Sequence, residues 1–116
     1  PSSTVPVGTI DPASWDPFPI EEVEAGDPAA EVSFIRTESN SGAMLYVGLF
    51  RAQPSRWRYA FAGDESFHLL EGRVTIHVDG GDVVEMTPGS IASFSKGMTS
   101  TCEVHEPMKK FFAISA

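Results

Sequence analysis

Short β-rich runs alternate with turn residues from residue 31 to the end of the chain, and this pattern limits the fold more than any other feature. The runs are rich in β-branched and aromatic residues, and Gly, Pro, Asn, Asp or Ser stand between them. None shows the 3.6-residue apolar period of an amphipathic helix. The pattern predicts an antiparallel β sandwich or small barrel. The runs lie at residues 32–37, 43–50, 56–61, 66–72, 73–78, 82–86, 90–94, 99–105 and 109–115.

Three breaks between these runs carry specific predictions. Asp79-Gly80-Gly81 predicts a β-hairpin, because this residue type supplies the backbone angles that a tight turn needs. Gly72 follows Leu-Leu-Glu and predicts a tight turn between two strands. The stretch at residues 105–107, which contains Pro107, predicts another turn.

The first part of the chain has a different character, since proline at high density forbids long helices and central strands. We expect an extended N-terminal arm over residues 1–30, followed by a barrel domain over residues 31–116. Trp15, Phe18 and Ile20 give the arm apolar anchors. The prolines are Pro6, Pro12, Pro17, Pro19 and Pro28.

Composition excludes several classes of function. The 16 acidic against 8 basic residues give a net charge of −8, which argues against nucleic acid and anionic membranes as partners. No apolar run approaches the roughly 20 residues of a membrane helix, and no signal peptide is visible. The single cysteine, Cys102, excludes an internal disulfide framework and favours a reducing, cytoplasmic location.

Several motifs give the chain a resemblance to the cupins. Glu65 and Gly72 match the E-x6-G end of the first cupin motif, G-x5-H-x-H-x3,4-E-x6-G. Gly89 and Gly97 match the two glycines of the second motif, G-x5-P-x-G-x2-H-x3-N. The ending CEVHEPMKKFFAIS is similar to that of the small cupins like ureidoglycine aminohydrolase, a group that includes the ethanolamine-utilisation cupins. The resemblance implies an all-β double-stranded β-helix, or jelly-roll barrel, usually a homodimer with a ligand site in the barrel mouth.

The resemblance also implies a divalent metal held by three histidines and a glutamate, but this chain departs from that pattern. The first two ligand positions fall on Tyr59 and Phe61, or on Arg58 and Ala60 if the longer spacer applies. The fourth falls on Ser100, so only Glu65 remains. One carboxylate does not hold a transition metal tightly. We therefore expect no metal and no other cofactor.

The three histidines do not restore the ligand set. His68 lies three residues beyond Glu65, and residues three apart in a strand point to opposite faces. His77 shares a face with polar residues and is expected to be exposed. His105 is expected in a turn. Surface or structural roles are favoured for all of them.

The resemblance places a group of side chains in one pocket: Tyr59, Phe61, Glu65, Ser100 and Cys102. An acid in apolar surroundings is hard to ionise and suits general acid/base work. The alternative for Glu65 is a structural pair with Arg58 or with the Tyr59 hydroxyl. For Tyr59 and Phe61, core packing is favoured over direct ligand contact. Cys102 is expected to be an inert thiol, and Arg58 could bind a ligand at the barrel mouth.

Two functions follow from this pocket. The first is a non-catalytic or accessory cupin that binds a small polar organic ligand in an apolar, metal-free barrel. The second is a metal-independent lyase, isomerase or amidohydrolase-like enzyme with Glu65 as its general acid/base.

Overall fold

A computed structural model describes residues 4–116, and within that range it contains strands and no helix. The predicted all-β fold is confirmed. No helix of residues 4–116 is therefore long and apolar enough to cross a membrane. The strands are β1 (Asp16–Pro17), β2 (Val23–Gly26), β3 (Glu31–Arg36), β4 (Leu45–Ala52), β5 (Ser55–Ala60), β6 (Asp64–Val78), β7 (Val83–Met86), β8 (Ile91–Phe94) and β9 (Thr99–Ser115).

Two long strands, β6 and β9, form the frame of the barrel. They pair antiparallel from Asp64 opposite Ser115 to Val78 opposite Ser100. Their register slips between Leu69 and Val74, where the ribbon bends. On one side of the bend the ribbon is extended by β8, β4, β3 and β1, and on the other by β7, β5 and β2. The apolar core contains side chains from both halves.

Gly72 marks the bend within β6, so the predicted tight turn is wrong. Its φ is 88°, which favours glycine, and a Cβ would lie 2.4 Å from the carbonyl oxygen of Pro107. Pro107 lies inside β9, so the predicted turn at residues 105–107 is also wrong. A proline is tolerated there because the ladder between β6 and β9 is already interrupted.

The Asp79-Gly80-Gly81 hairpin is confirmed and connects β6 to β7. The N–H of Val78 donates to the carbonyl of Asp82 at 2.9 Å, which closes the turn. Short strands that the sequence predicted are present within one or two residues, as for β7 and β8.

The N-terminal arm lies along the barrel and contributes two short edge strands. β1 pairs with β3, and β2 pairs with β5. The Arg51 guanidinium lies 4.2 Å from the ring centroid of Trp15, and Phe18 contacts Phe50 edge-on at 5.7 Å between centroids. The apolar anchors of the arm therefore pack against the chain's own barrel. Residues 1–3 of the predicted arm lie outside the described residues.

Candidate functional site

A cavity of about 460 Å³ lies between the two halves of the barrel. That volume is in the range of sites that bind small molecules. Both long strands, the strands β3, β4 and β5, and the arm contribute to the lining. Its walls are mostly aromatic and aliphatic, and include Phe18, Ile20, Phe50, Trp57, Phe61 and Phe67.

The alternation of β5 and β9 selects which side chains reach this cavity. Tyr59 lies opposite Ser100, and Trp57 lies opposite Cys102. All four side chains line the cavity, because residues two apart in a strand share a face. With Phe61 and Glu65, the structure thus brings together all five residues that the sequence analysis placed in one pocket. Their roles remain predictions.

Arg58 is the exception among the predicted site residues, and it does not line the described cavity. Its guanidinium forms an ion pair with Asp79 and donates to the Thr101 hydroxyl at 3.0 Å. It stands between Trp57 and Tyr59, so strand alternation turns it to the outer face. The hydrogen bonds from Arg58 and Thr99 hold the pKa of Asp79 well below its usual range. The placement favours the shorter spacer, with Tyr59 and Phe61 facing inward.

Glu65 lies at the centre of the polar part of the cavity. Its side chain is 2% exposed. One carboxylate oxygen, Oε1, accepts a hydrogen bond from the Tyr59 hydroxyl at 3.0 Å. The other, Oε2, lies 2.8 Å from Nζ of Lys110. A buried charge is costly unless it is paired and hydrogen-bonded, and Glu65 has both kinds of partner. The sequence analysis considered Arg58 and the Tyr59 hydroxyl as structural partners of Glu65, and the structure has the Tyr59 hydroxyl in that place.

Lys110 is the site residue that the sequence analysis missed. Its ammonium lies 4.2 Å from the ring centroid of Phe67 and 5.0 Å from that of Phe50, within cation–π range. A signal was present in the sequence, because two consecutive lysines in one strand must point to opposite faces. Lys109 takes the outer position, where it pairs with Asp11 and Glu71.

The family comparison covers most of this site. The model of the EutQ-like cupin domain matches residues 40–112, a range that includes Glu65, Gly72, Ser100 and Lys110. The chain belongs to the EutQ-like cupin family. The resemblance to the ethanolamine-utilisation cupins is thereby confirmed. No curated protein sequence matches the chain.

Solved structures share the fold of this EutQ-like cupin at low sequence identity. The EutQ protein of Clostridium difficile has a TM-score of 0.65 at 17% identity, over 74% of this chain and 67% of that one. Ectoine synthase from P. lautus has a TM-score of 0.65 at 12% identity, over 81% and 67%. A Rhizobium leguminosarum protein of unknown function has a TM-score of 0.63 at 24% identity, over 74% and 80%. These similarities establish the cupin fold alone.

The metal that the cupin resemblance implies does not fit the residues of this site. Tyr59, Phe61 and Ser100 stand where histidines would be needed, and both oxygens of Glu65 already accept hydrogen bonds. The Lys110 ammonium lies against the carboxylate, and a second cation beside it would be repelled. Within residues 4–116, no three His, Cys, Asp or Glu side chains come together as a metal site.

The histidines of this cupin lie away from the cavity. Among the described lining residues there is none. His68 is half-buried in β6, and His77 lies 3.0 Å from a carboxylate oxygen of Glu103. His105 belongs to β9 and bonds the Thr75 hydroxyl at 2.8 Å, so its expected place in a turn is wrong.

The remaining polar groups of the cavity are poor nucleophiles. Burial raises the pKa of the Cys102 thiol to about 12, so the thiol is protonated at neutral pH. Burial also raises the pKa of Tyr59, and the charge and hydrogen bond of Glu65 act in the same direction. The Ser100 hydroxyl donates to the backbone carbonyl of Tyr59 at 3.0 Å. Nucleophilic catalysis by these groups is therefore disfavoured.

A cluster of aromatic rings forms one wall of the cavity. Phe61 and Phe94 stack with their centroids 4.6 Å apart and their planes 6° from parallel. Phe67 also stacks with Phe94, with their centroids 5.8 Å apart, and Tyr59 meets Phe61 edge-on at 4.8 Å. Phe61 thus packs in the core and also presents surface to the cavity.

Proposed function

We propose that this cupin binds a small organic molecule with an apolar body inside its barrel, as a binding or accessory protein. The observation that carries the proposal is a cavity of about 460 Å³ whose walls are mostly apolar and whose polar part is a buried ion pair. Apolar cavities with a few convergent polar groups are typical small-molecule sites. The walls supply affinity, and the polar groups fix the orientation of the ligand.

The aromatic lining sets the scale of the affinity. A ligand that loses about 200 Å² of apolar surface to the walls gains roughly 5 kcal/mol from the hydrophobic effect. Lost translational and rotational freedom offsets part of this gain. Small one-ring probes are therefore expected to bind with dissociation constants near the millimolar range, which an NMR titration detects.

A cavity-filling variant tests the proposal. Cys102→Trp directs a large ring into the cavity from β9, and it should abolish the shifts that ethylbenzene or acetophenone causes in the NMR spectrum of the wild type. Ile91→Trp is the matched control, since Ile91 is exposed on β8 and outside the described cavity lining. Circular dichroism checks that both variants fold. Equal binding by Cys102→Trp and the wild type, or no binding of either probe to the wild type, would refute the proposal.

A specific observation also supports the enzymatic alternative. Glu65 contacts two groups that carry protons, the Tyr59 hydroxyl and the Lys110 ammonium. These three hydrogen-bonded groups could deliver a proton to a bound molecule or accept one from it. General acid/base catalysis of this kind raises a reaction rate by about 10²–10⁴-fold. Deuterium uptake by the methyl group of acetophenone in D2O would reveal it. Exchange that persists in Glu65→Gln would exclude Glu65 as the general base.

The quaternary state and location are part of the same proposal. We expect a homodimer, and Phe111 is an exposed aromatic side chain outside the described cavity lining that a second copy could cover. Light scattering at micromolar concentration measures this, and a monomer would contradict it. The lone Cys102 supports a reducing compartment such as the cytoplasm.

A further inference from the structure

We infer that the ligand of this cavity carries a neutral hydrogen-bond acceptor, such as a ketone, aldehyde or amide carbonyl, and that Lys110 donates to it. The inference rests on the proposed ligand-binding function and narrows its ligand class. It makes Lys110 a specificity-determining residue. Three observations lead to it: the unfilled donors of Lys110, the burial and internal pairing of Glu65, and the cancelled charge of the pair.

Lys110 has donor capacity that its own chain does not use. An ammonium group carries three N–H donors. Within residues 4–116, Nζ of Lys110 donates one hydrogen bond, to Oε2 of Glu65 at 2.8 Å. On its other sides the ammonium meets the faces of Phe67 and Phe50, which attract a cation but accept no conventional hydrogen bond. A ligand acceptor in the cavity would fill a vacant donor direction.

Glu65, by contrast, is already engaged as the internal counter-ion. Each of its oxygens has a partner, and its side chain is 2% exposed. The Tyr59 hydroxyl donates its hydrogen bond to Glu65, and the Ser100 hydroxyl donates its hydrogen bond to a backbone carbonyl. The remaining lone pairs of Glu65 and Ser100 lie on side chains that are almost fully buried, whereas the Lys110 side chain is 15% exposed. A ligand acceptor therefore reaches Lys110 more readily than a ligand donor reaches these oxygens.

The charge of the pair selects a neutral acceptor over an anionic one. Lys110 is the one Lys or Arg among the described lining residues, and the negative charge of Glu65 neutralises its positive charge. A carboxylate ligand would place a second negative charge beside Glu65 in apolar surroundings, where an uncompensated charge is costly. A carbonyl oxygen takes the same hydrogen bond without this cost.

Three probes that share one phenyl ring and differ in its substituent test the inference: ethylbenzene, acetophenone and benzoate. Each is titrated by NMR at pH 7.5 into the wild type, Lys110→Met and the control Lys109→Met. Acetophenone should bind the wild type about ten-fold or more tightly than Lys110→Met, as expected for a hydrogen bond to a charged donor. Ethylbenzene should bind both within about three-fold, and benzoate should bind the wild type at least about ten-fold more weakly than acetophenone.

A second variant keeps the test decisive if Lys110→Met does not fold. Tyr59→Phe, Glu65→Leu and Lys110→Met together remove the whole polar cluster, and such apolar replacements are often tolerated. The triple variant should keep ethylbenzene binding and lose the advantage of acetophenone.

The outcomes separate this inference from the proposed function. If Lys110→Met weakens acetophenone no more than ethylbenzene, or if benzoate binds tightest, the inference falls while the binding function stands. If none of the probes binds in the cavity of the wild type, both fall.

Discussion

Replacement of Lys110 by methionine should destabilise the fold far more than the same change at its neighbour Lys109. The two lysines are consecutive in β9 and both are mostly buried, with side-chain exposures of 15% and 9%. Their partners differ. Lys110 pairs with Glu65, which is 2% exposed, whereas Lys109 pairs with Asp11 and Glu71, which are 80% and 62% exposed.

The burial of the partner sets the magnitude. Methionine keeps most of the lysine stem and its packing, so the main loss is the charge. Lys110→Met strands the Glu65 carboxylate with one neutral hydrogen bond, from Tyr59, and an unpaired buried charge costs about 3–5 kcal/mol. Lys109→Met leaves its carboxylates in water, and surface pairs are worth about 0–1 kcal/mol.

Thermal unfolding at pH 7, followed by circular dichroism, measures both costs. For a domain of this size, about 4 °C of melting temperature corresponds to each kcal/mol. Lys110→Met should therefore lower the melting temperature by roughly 12–20 °C, and Lys109→Met by no more than about 4 °C. The pair Glu65→Leu with Lys110→Met should recover most of the loss, because it removes both charges.

Two results would refute this reasoning. Equal destabilisation by Lys110→Met and Lys109→Met would mean that the burial of Glu65 does not govern the cost. A double variant as unstable as Lys110→Met would mean that the loss comes from the lysine stem rather than from a stranded carboxylate.

The other predictions concern the bend at Gly72 and the loss of folding stability at alkaline pH. Gly72→Ala should cost at least about 3 kcal/mol in unfolding free energy, since its Cβ would lie 2.4 Å from the carbonyl oxygen of Pro107; Gly80→Ala, with open space around its Cβ, should cost about 1–2 kcal/mol. Similar costs in urea melts would disprove the bend argument. Burial raises the pKa of Cys102 from 9.0 to about 12. The folded state therefore holds that proton more tightly, and stability should fall as pH rises above 9.0, by up to about 1.4 kcal/mol per pH unit. Cys102→Ala should show a shallower decline between pH 9 and 10.5, and identical slopes would contradict the assignment.

Local patterns were sufficient to predict where most of the barrel residues form strands and which residues of a strand share a face. Alternation along a strand is a property of the backbone, so the sequence alone could place Tyr59 with Phe61 and Ser100 with Cys102. The hairpin at residues 79–81 was predictable for a similar reason, since its turn chemistry is local. The family resemblance then connected these strands across the barrel.

The bend at Gly72 shows where local reasoning fails. A glycine with Pro107 in a distant strand is compatible with two turns or with one bent ribbon. The choice depends on whether β6 and β9 pair through the irregularity, and they do. Sequence separation hides this pairing, so the site of backbone irregularity was predictable and its form was not.

The sequence by itself determined that this chain is an all-β cupin with a carboxylate at Glu65 and no histidine at the motif positions of the metal ligands. Only the tertiary structure decided which cation pairs with that carboxylate. The barrel closes so that Lys110, 45 residues from Glu65 along the chain, lies 2.8 Å from its carboxylate, and Arg58 turns outward to Asp79. Ion pairing across a barrel depends on which strands become neighbours, and that is a property of the whole fold.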